Sequence, residues 1–428
     1  MRKSPSARQP LRAKENLRLL RDPNFGPFFF GNLVANSGTW FLTLAAGIFV
    51  YRRTGSAFLL GVVGFSQFAG VLLLVPWTGT AADRFDRRRL LLVTQGAASA
   101  IAAALTVVVM TGRATSATVI AFVLAIGLVQ AFTWPALQAI VPDLVPRDQL
   151  GSAIALKSLT HNLARGLGPA TATLVIATAG IEWAFFVNAL AYLALLVGLL
   201  VIHPTPSPTP TVRPRFRDSI AIVRERPRLA ALMLVSAVLS IAIDPVNTLS
   251  PAFAVSVWDR SDALAGVLLG AFSVGALTAA LTVAGRPGRL RRQLIGRVSL
   301  LACSMVAFAL APTLELGLVA LAFAGFGFLA ASTSTIRELQ LSIEAAHRGR
   351  IMALWTVAFI GARPLSALVD GAIAGAAGPR VSALVMVLPA VGLVGALVVR
   401  DRRETGLDSP AEVAADAEPA AARLTAEW

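Results

Sequence analysis

The sequence predicts an all-α membrane protein, with twelve transmembrane helices in two six-helix bundles related by a pseudo-twofold axis. Three observations carry this expectation. Apolar residues make up 56% of the 428-residue chain and charged residues only 14%, too few polar groups to coat a soluble fold of this size. The apolar residues gather in runs near the roughly 20 that a helix needs to cross hydrocarbon, separated by short charged turns. The two halves of the chain also echo one another, as in membrane proteins built from repeated helix bundles.

Six runs make up the first half: Phe28 to Val50, Leu59 to Trp77, Leu90 to Met110, Ala117 to Ile140, Ser152 to Ala177 and Trp183 to Ile202. Six more follow: Leu229 to Leu249, Ala263 to Val283, Leu294 to Leu310, Leu314 to Thr335, Ile351 to Ala374 and Val381 to Val399. Helices are required, because backbone groups in lipid must be satisfied within the segment and these runs far exceed barrel strands. The expected units are an N-terminal tail over 1–26, a first bundle over 27–203, a linker over 204–228, a second bundle over 229–400 and a tail over 401–428. Pro204, Pro206, Pro208, Pro210 and Pro214 extend the linker before Arg213 to Arg228 turn it basic. The tail is poor in apolar bulk and is expected to be disordered.

The net charge of +15 lies in clusters between apolar runs. It therefore reports topology, and no nucleic-acid partner is expected. With the N-terminus inside, the outward turns hold only Arg52, Arg53, Arg113, Arg260 and Arg380, while the other loop basics fall on the inward side. Positive residues are retained in the cytoplasm, so both termini are expected there, in a multi-pass protein of the plasma membrane. The basic start has no clear cleavage site and reads as a retained anchor. The lone Cys303 offers neither a disulfide framework nor a cysteine metal site.

At one constant offset Ala155-Leu156 falls on Ala353-Leu354, and Ala164-Arg165 on Ala362-Arg363. At a second, Gly61 falls on Gly266, Gly70 on Gly275 and Arg87 on Arg292. The turn between spans 2 and 3 reads Gly79-Thr80-Ala81-Ala82-Asp83-Arg84-Phe85-Asp86-Arg87-Arg88-Arg89. With Asn36-Ser37-Gly38-Thr39-Trp40, Thr54-Gly55-Ser56, Asn162, Gly168-Pro169 and Arg348-Gly349-Arg350, it resembles the major facilitator superfamily. Its Asp-Arg-Phe-Asp-Arg-Arg form is similar to the branch of enterobactin exporters and bacterial drug-efflux proteins. The resemblance implies the major facilitator fold and a gating motif of Gly79, Asp83, Arg84, Arg87 and Arg88. It also implies that Asp83 meets the start of span 11 and Arg87 meets an acid at the end of span 4, for which Asp143 is the candidate. Such contacts would hold the cytoplasmic side closed.

Ionisable residues deep in a span are functional candidates by default. Arg165 and Arg363 lie halfway through spans 5 and 11, where they would receive an anionic ligand or, alternatively, hold helices together by pairing with Asp244, Asp370 or backbone carbonyls. Lys157, His161 and Arg165 share one face of span 5. The proton-coupling candidates are Asp244, beside Pro245, then Asp370, Glu338 and His161. Ala164, Gly168, Pro169 and Ala172 form a close-packing stripe. Asn32, Asn36, Trp40, Gln67, Gln130, Trp134, Gln138 and Trp355 either line a cavity for an amphipathic ligand or join neighbouring helices. Span 4 lacks the arginine common in the family's antiporters, and only Gly168-Pro169 of their fuller glycine motif is kept.

The reading is a monomeric secondary transporter, not an enzyme. It would export an amphipathic drug or siderophore-like compound by alternating access, with membrane lipid and protons as its other partners. A proton gradient supplies the energy, with no cofactor and no metal, because no phosphate-binding loop, metal-ligand spacing or nucleophile turn occurs. The alternatives are an importer or symporter of a small organic anion, and a lipid flippase on the same fold.

Overall fold

A computed structural model describes residues 18–74, 77–78, 81, 85–146, 148–205, 222–283, 290–343 and 348–407. Within them the chain is helical throughout, without a strand. The first half holds α1 (Phe25–Thr54), α2 (Ala57–Leu73), α3 (Arg87–Met110), α4 (Ser116–Ala139), α5 (Leu150–Thr178) and α6 (Ile181–Val201). The second holds α7 (Pro227–Ala242), α8 (Ala265–Val283), α9 (Leu290–Leu310), α10 (Leu314–Leu341), α11 in two segments (Arg348–Ile360 and Ala362–Ala377) and α12 (Pro379–Leu407). Ten helical segments among the described residues are long and apolar enough to cross a membrane. The other two expected crossings fall on α2, apolar but 17 residues long, and on α5, 29 residues long and interrupted by Lys157, His161 and Arg165.

Turn chemistry sets several helix starts. Ser56, Asp86, Thr115 and Thr313 each accept a backbone N–H from three residues on, satisfying one orphan donor of α2, α3, α4 and α10. Gly55, at φ 60°, closes α1 in the left-handed conformation that favours glycine.

Three features reshape the expected spans, the first of them beside Pro245, where proline is expected to loosen the helix. Span 7 breaks at Ile243, resumes as Asp244–Thr248 and then loosens into a π-helical turn at Phe253–Val257. Span 11 breaks at Gly361, three residues before Pro364. Proline has no N–H to donate back and its ring crowds the carbonyl four residues earlier, so Pro245 and Pro364 each follow a break. The third correction concerns the tail: α12 continues to Leu407, held where Arg291 donates to Arg400 O and Arg292 reaches Asp401 at 3.8 Å.

Each half packs chiefly on itself, α1 against α5 and α6 in the first and α10 against α8 and α9 in the second. Two helix pairs carry most of the contact between halves, α2 with α11 and α5 with α8. Glycine permits the closest approaches. A Cβ added at Gly371 would sit 2.7 Å from Gly61 Cα, and one at Gly266 would sit 2.8 Å from Pro169 O. Gly61 and Gly266 are the repeat-equivalent pair read from the sequence, so the pseudo-twofold relation reaches the interface itself. A bidentate ion pair also bridges the halves: Arg52 Nε and Nη2 donate to Asp262 Oδ2 and Oδ1 at 2.5 and 2.7 Å.

Candidate functional site

The breaks in spans 7 and 11 bring polar groups to one level. A narrow cleft lies between the halves, lined from the first by Trp40 and Arg165 and from the second by Ser240, Asn247, Ser273, Phe272, Phe359 and Arg363. Its free volume, about 30 Å³, admits water only.

Arg165 is held by its surroundings without being neutralised. Its guanidinium carbon lies 5.6 Å from the Phe328 ring centre, Nη2 lies 3.4 Å from His161 Nε2, and its backbone carbonyl accepts from Ser273 Oγ at 2.8 Å. Buried Nε has no hydrogen-bond partner. Arg363 lies over the Phe68 ring at 4.2 Å. Among the described residues neither arginine forms an ion pair within 4.0 Å. Asp244, 1% exposed, is within electrostatic reach of Arg363 and accepts from Thr248 Oγ1 at 3.2 Å. Asp370 is fully buried, takes a 2.6 Å hydrogen bond from Ser382 Oγ on one oxygen, and has none on the other.

The remaining expected residues are spread through the helices. Glu338 lies near the end of α10, ion-paired with Arg228 and away from the cleft. Lys157 Nζ donates to Leu137 O and Gln138 Oε1, both at 2.6 Å. Ala164, Gly168, Pro169 and Ala172 are buried, with Gly168 directly against Trp40. Several polar candidates join helices: Asn32 donates to Thr160 at 2.9 Å, Gln67 to Thr43 at 2.7 Å, and Trp355 Nε1 to Ser236 at 2.8 Å. Gln130 takes a long 3.4 Å contact from Gln95, Asn36 bonds back to Asn32 O, and Trp134 packs on Phe68.

Of the turn motif, Gly79, Asp83 and Arg84 lie outside the described residues. Arg87 Nη1 donates to both Asp143 oxygens, at 3.0 and 2.9 Å, the partnership the resemblance implies. Arg88 has a role not read from the sequence: it donates to Leu199 O and Leu200 O at 3.0 and 2.8 Å, capping the end of α6. Ser240, Ser273, Phe272 and Phe359 also have no role read from the sequence. Phe359 had a usable signal, since the offset that carries Arg165 to Arg363 carries His161 to Phe359.

Residues 16–420 match the family described as transmembrane secretion effectors. The enterobactin exporter EntS of Citrobacter koseri is 27% identical over 402 residues, 91% of this chain and 95% of that one. The EntS of Salmonella paratyphi A is 26% identical over 409 residues, covering 92% and 97%. In structure the chain is similar to an inward-facing, unoccupied bacterial homologue of the lysosomal transporter Spinster, with a TM-score of 0.67 and 15% identity, covering 92% of this chain and 97% of that one. A mutant of the nucleoside transporter NupG aligns at a TM-score of 0.70 and 15% identity, covering 90% and 99%. Together with the all-helical fold, the symmetric glycine contacts and the charged cleft, the match makes this chain a multi-pass membrane transporter of the transmembrane secretion effector family, within the major facilitator superfamily.

Proposed function

We propose that the chain exports an amphipathic organic anion, of drug or siderophore type, from the cytoplasm across the plasma membrane by alternating access. One observation carries the reading: Arg165 and Arg363 occupy repeat-equivalent positions on one cleft, and among the described residues neither forms an ion pair within 4.0 Å. A guanidinium stays charged at physiological pH, and two cations with only the carboxylate of Asp244 in electrostatic reach of one of them leave positive charge uncompensated, so the cleft favours an anion. Phe68 and Phe328 beneath the two cations suit the apolar part of such a ligand. The exporter names of the relatives support outward movement.

In this mechanism the bundles over 27–203 and 229–400 rock as bodies joined by the linker over 204–228. Gly79, Asp83, Arg84, Arg87, Arg88 and Asp143 latch the cytoplasmic side, and Arg52 with Asp262 clasps the opposite side. A proton gradient drives the monomer in its lipid bilayer without a bound cofactor. Asp244 is the leading proton site, ahead of Asp370, Glu338 and His161.

A second reading, proton-coupled import of a small organic anion, is favoured by one feature. Asp244 and an incoming anion would compete for Arg363, so protonating Asp244 would free the arginine and proton and anion would travel together. Vesicles of opposite orientation separate the two. Export predicts drug or siderophore accumulation in inside-out vesicles, abolished by protonophore and by Arg363→Gln, with Asp244→Asn uncoupled from the gradient. Accumulation in right-side-out vesicles alone would establish import instead.

A further inference from the structure

The offset that aligns Arg165 with Arg363 also aligns Lys157 with Trp355 and His161 with Phe359. On α5 the three residues recur every four positions and share a face, whereas on α11 Trp355 and Phe359 share a face and Arg363 follows the break at Gly361. On α5 that face is built of nitrogen side chains, with His161 exposed and in contact with Arg165. Leu159, Leu167 and Leu174 lie on the far side of α5 and are 43%, 60% and 63% exposed, as a lipid-facing surface would be. The nitrogen face is turned away from those leucines, and Arg165 at its end lines the cleft between the halves.

On α11 the equivalent positions are aromatic. Trp355 and Phe359 stack with ring centres 5.3 Å apart and planes 7° apart, and Phe359 continues to Phe328 at 6.3 Å. Phe328 is the ring that faces the Arg165 guanidinium. Arg165, Phe359 and Arg363 then meet on one cleft.

We infer that these repeat-equivalent faces are two walls of the ligand path with divided duties. His161 and Lys157 on α5 select the anionic group, while Phe359 and Trp355 on α11 select an aromatic ring. The ligand is thus an aromatic organic anion, held with its charge toward α5 and its ring toward α11. This assignment rests on the anion reading above and adds to it which wall reads which part.

Binding to the purified full-length protein, measured by equilibrium dialysis, tests the division with three labelled probes. Naphthalenesulfonate carries ring and charge, naphthalenesulfonamide the ring alone, and octanesulfonate the charge alone. His161→Leu is expected to reduce the preference for naphthalenesulfonate over naphthalenesulfonamide by about fivefold while leaving the preference over octanesulfonate unchanged. Phe359→Leu should produce the reverse pattern, and Phe359→Tyr should retain both preferences. If either leucine variant fails to elute as a single species, Lys157→Gln and Trp355→Leu provide the same crossed comparison. Variants that shift both preferences alike, or neither, overturn the division of the walls. A wild-type protein that binds none of the three probes overturns the anion reading itself.

Discussion

Helices α5 and α11 hold equivalent places in the two repeats and are built differently. The first runs unbroken through Pro169, whereas the second breaks at Gly361 ahead of Pro364. The first carries Lys157, His161 and Arg165 on one face, and the second carries Trp355, Phe359 and Arg363. The repeat thus places an arginine at equivalent positions of both helices, while the residues four and eight positions before it are nitrogen side chains on α5 and aromatic rings on α11. Symmetry accounts for the position of the site, and its loss accounts for the chemistry.

The sharpest way to break this comparison is to remove each arginine. Truncating a buried charged anchor of a binding site costs about 2–5 kcal/mol. Arg165→Gln and Arg363→Gln are therefore each expected to weaken anion transport by about a hundredfold or more, read as initial rates in proteoliposomes. An Arg165 variant with normal transport would mean that only the α11 copy is used.

A smaller effect is expected at the contacts between halves. Gly371→Val places side-chain atoms where Gly61 Cα already lies 2.7 Å from an added Cβ, and overpacking of this kind costs about 1–3 kcal/mol. Thermal unfolding of Gly371→Val and of Gly266→Val should show comparable losses if the two interfaces are equivalent. Asp143→Asn removes the charge that Arg87 faces in a half-buried pair, 24% and 6% exposed at the two side chains, and should lower stability by about 1 kcal/mol or more. Arg292→Ala, the repeat-equivalent change at a pair 3.8 Å apart and largely exposed, should cost less than about 1 kcal/mol. Arg52→Ala breaks a bidentate pair with Asp262, 46% and 10% exposed at the two side chains, and should cost more than Arg292→Ala, about 1 kcal/mol. A change in the ratio of outward-open to inward-open conformers, followed by a distance label across the Arg52 side, would reveal a role in the cycle beyond stability.

Much of the fold was legible because lipid imposes simple rules. Apolar length gave the spans, basic residues gave an expected orientation, and the family resemblance implied the partnership of Arg87 with Asp143 that the structure contains. The break in span 11 was harder to read than the loosening at Pro245, because a proline inside a span bends, breaks or is absorbed according to its neighbours. Pro169 is absorbed while Pro245 and Pro364 each follow an interruption. The cleft residues Ser240 and Ser273 were invisible for another reason. A serine or asparagine in a span satisfies itself on the preceding turn, as Ser273 does on Leu269 O and Asn247 on Ile243 O, and only tertiary packing says which of them also reach a shared space. The helical continuation of α12 to Leu407 likewise depends on contacts from Arg291 and Arg292, more than a hundred residues away in sequence.

The meeting of Gly61 and Gly371 has a mechanical corollary. Where two backbones touch with no side chain on either, there is nothing to interlock, and a small rotation there displaces hardly any hydrocarbon. Such a point behaves as a bearing. The membrane around it would feel little change of outline during a turnover, so transport should be less sensitive to bilayer thickness than the span of the moving parts would suggest.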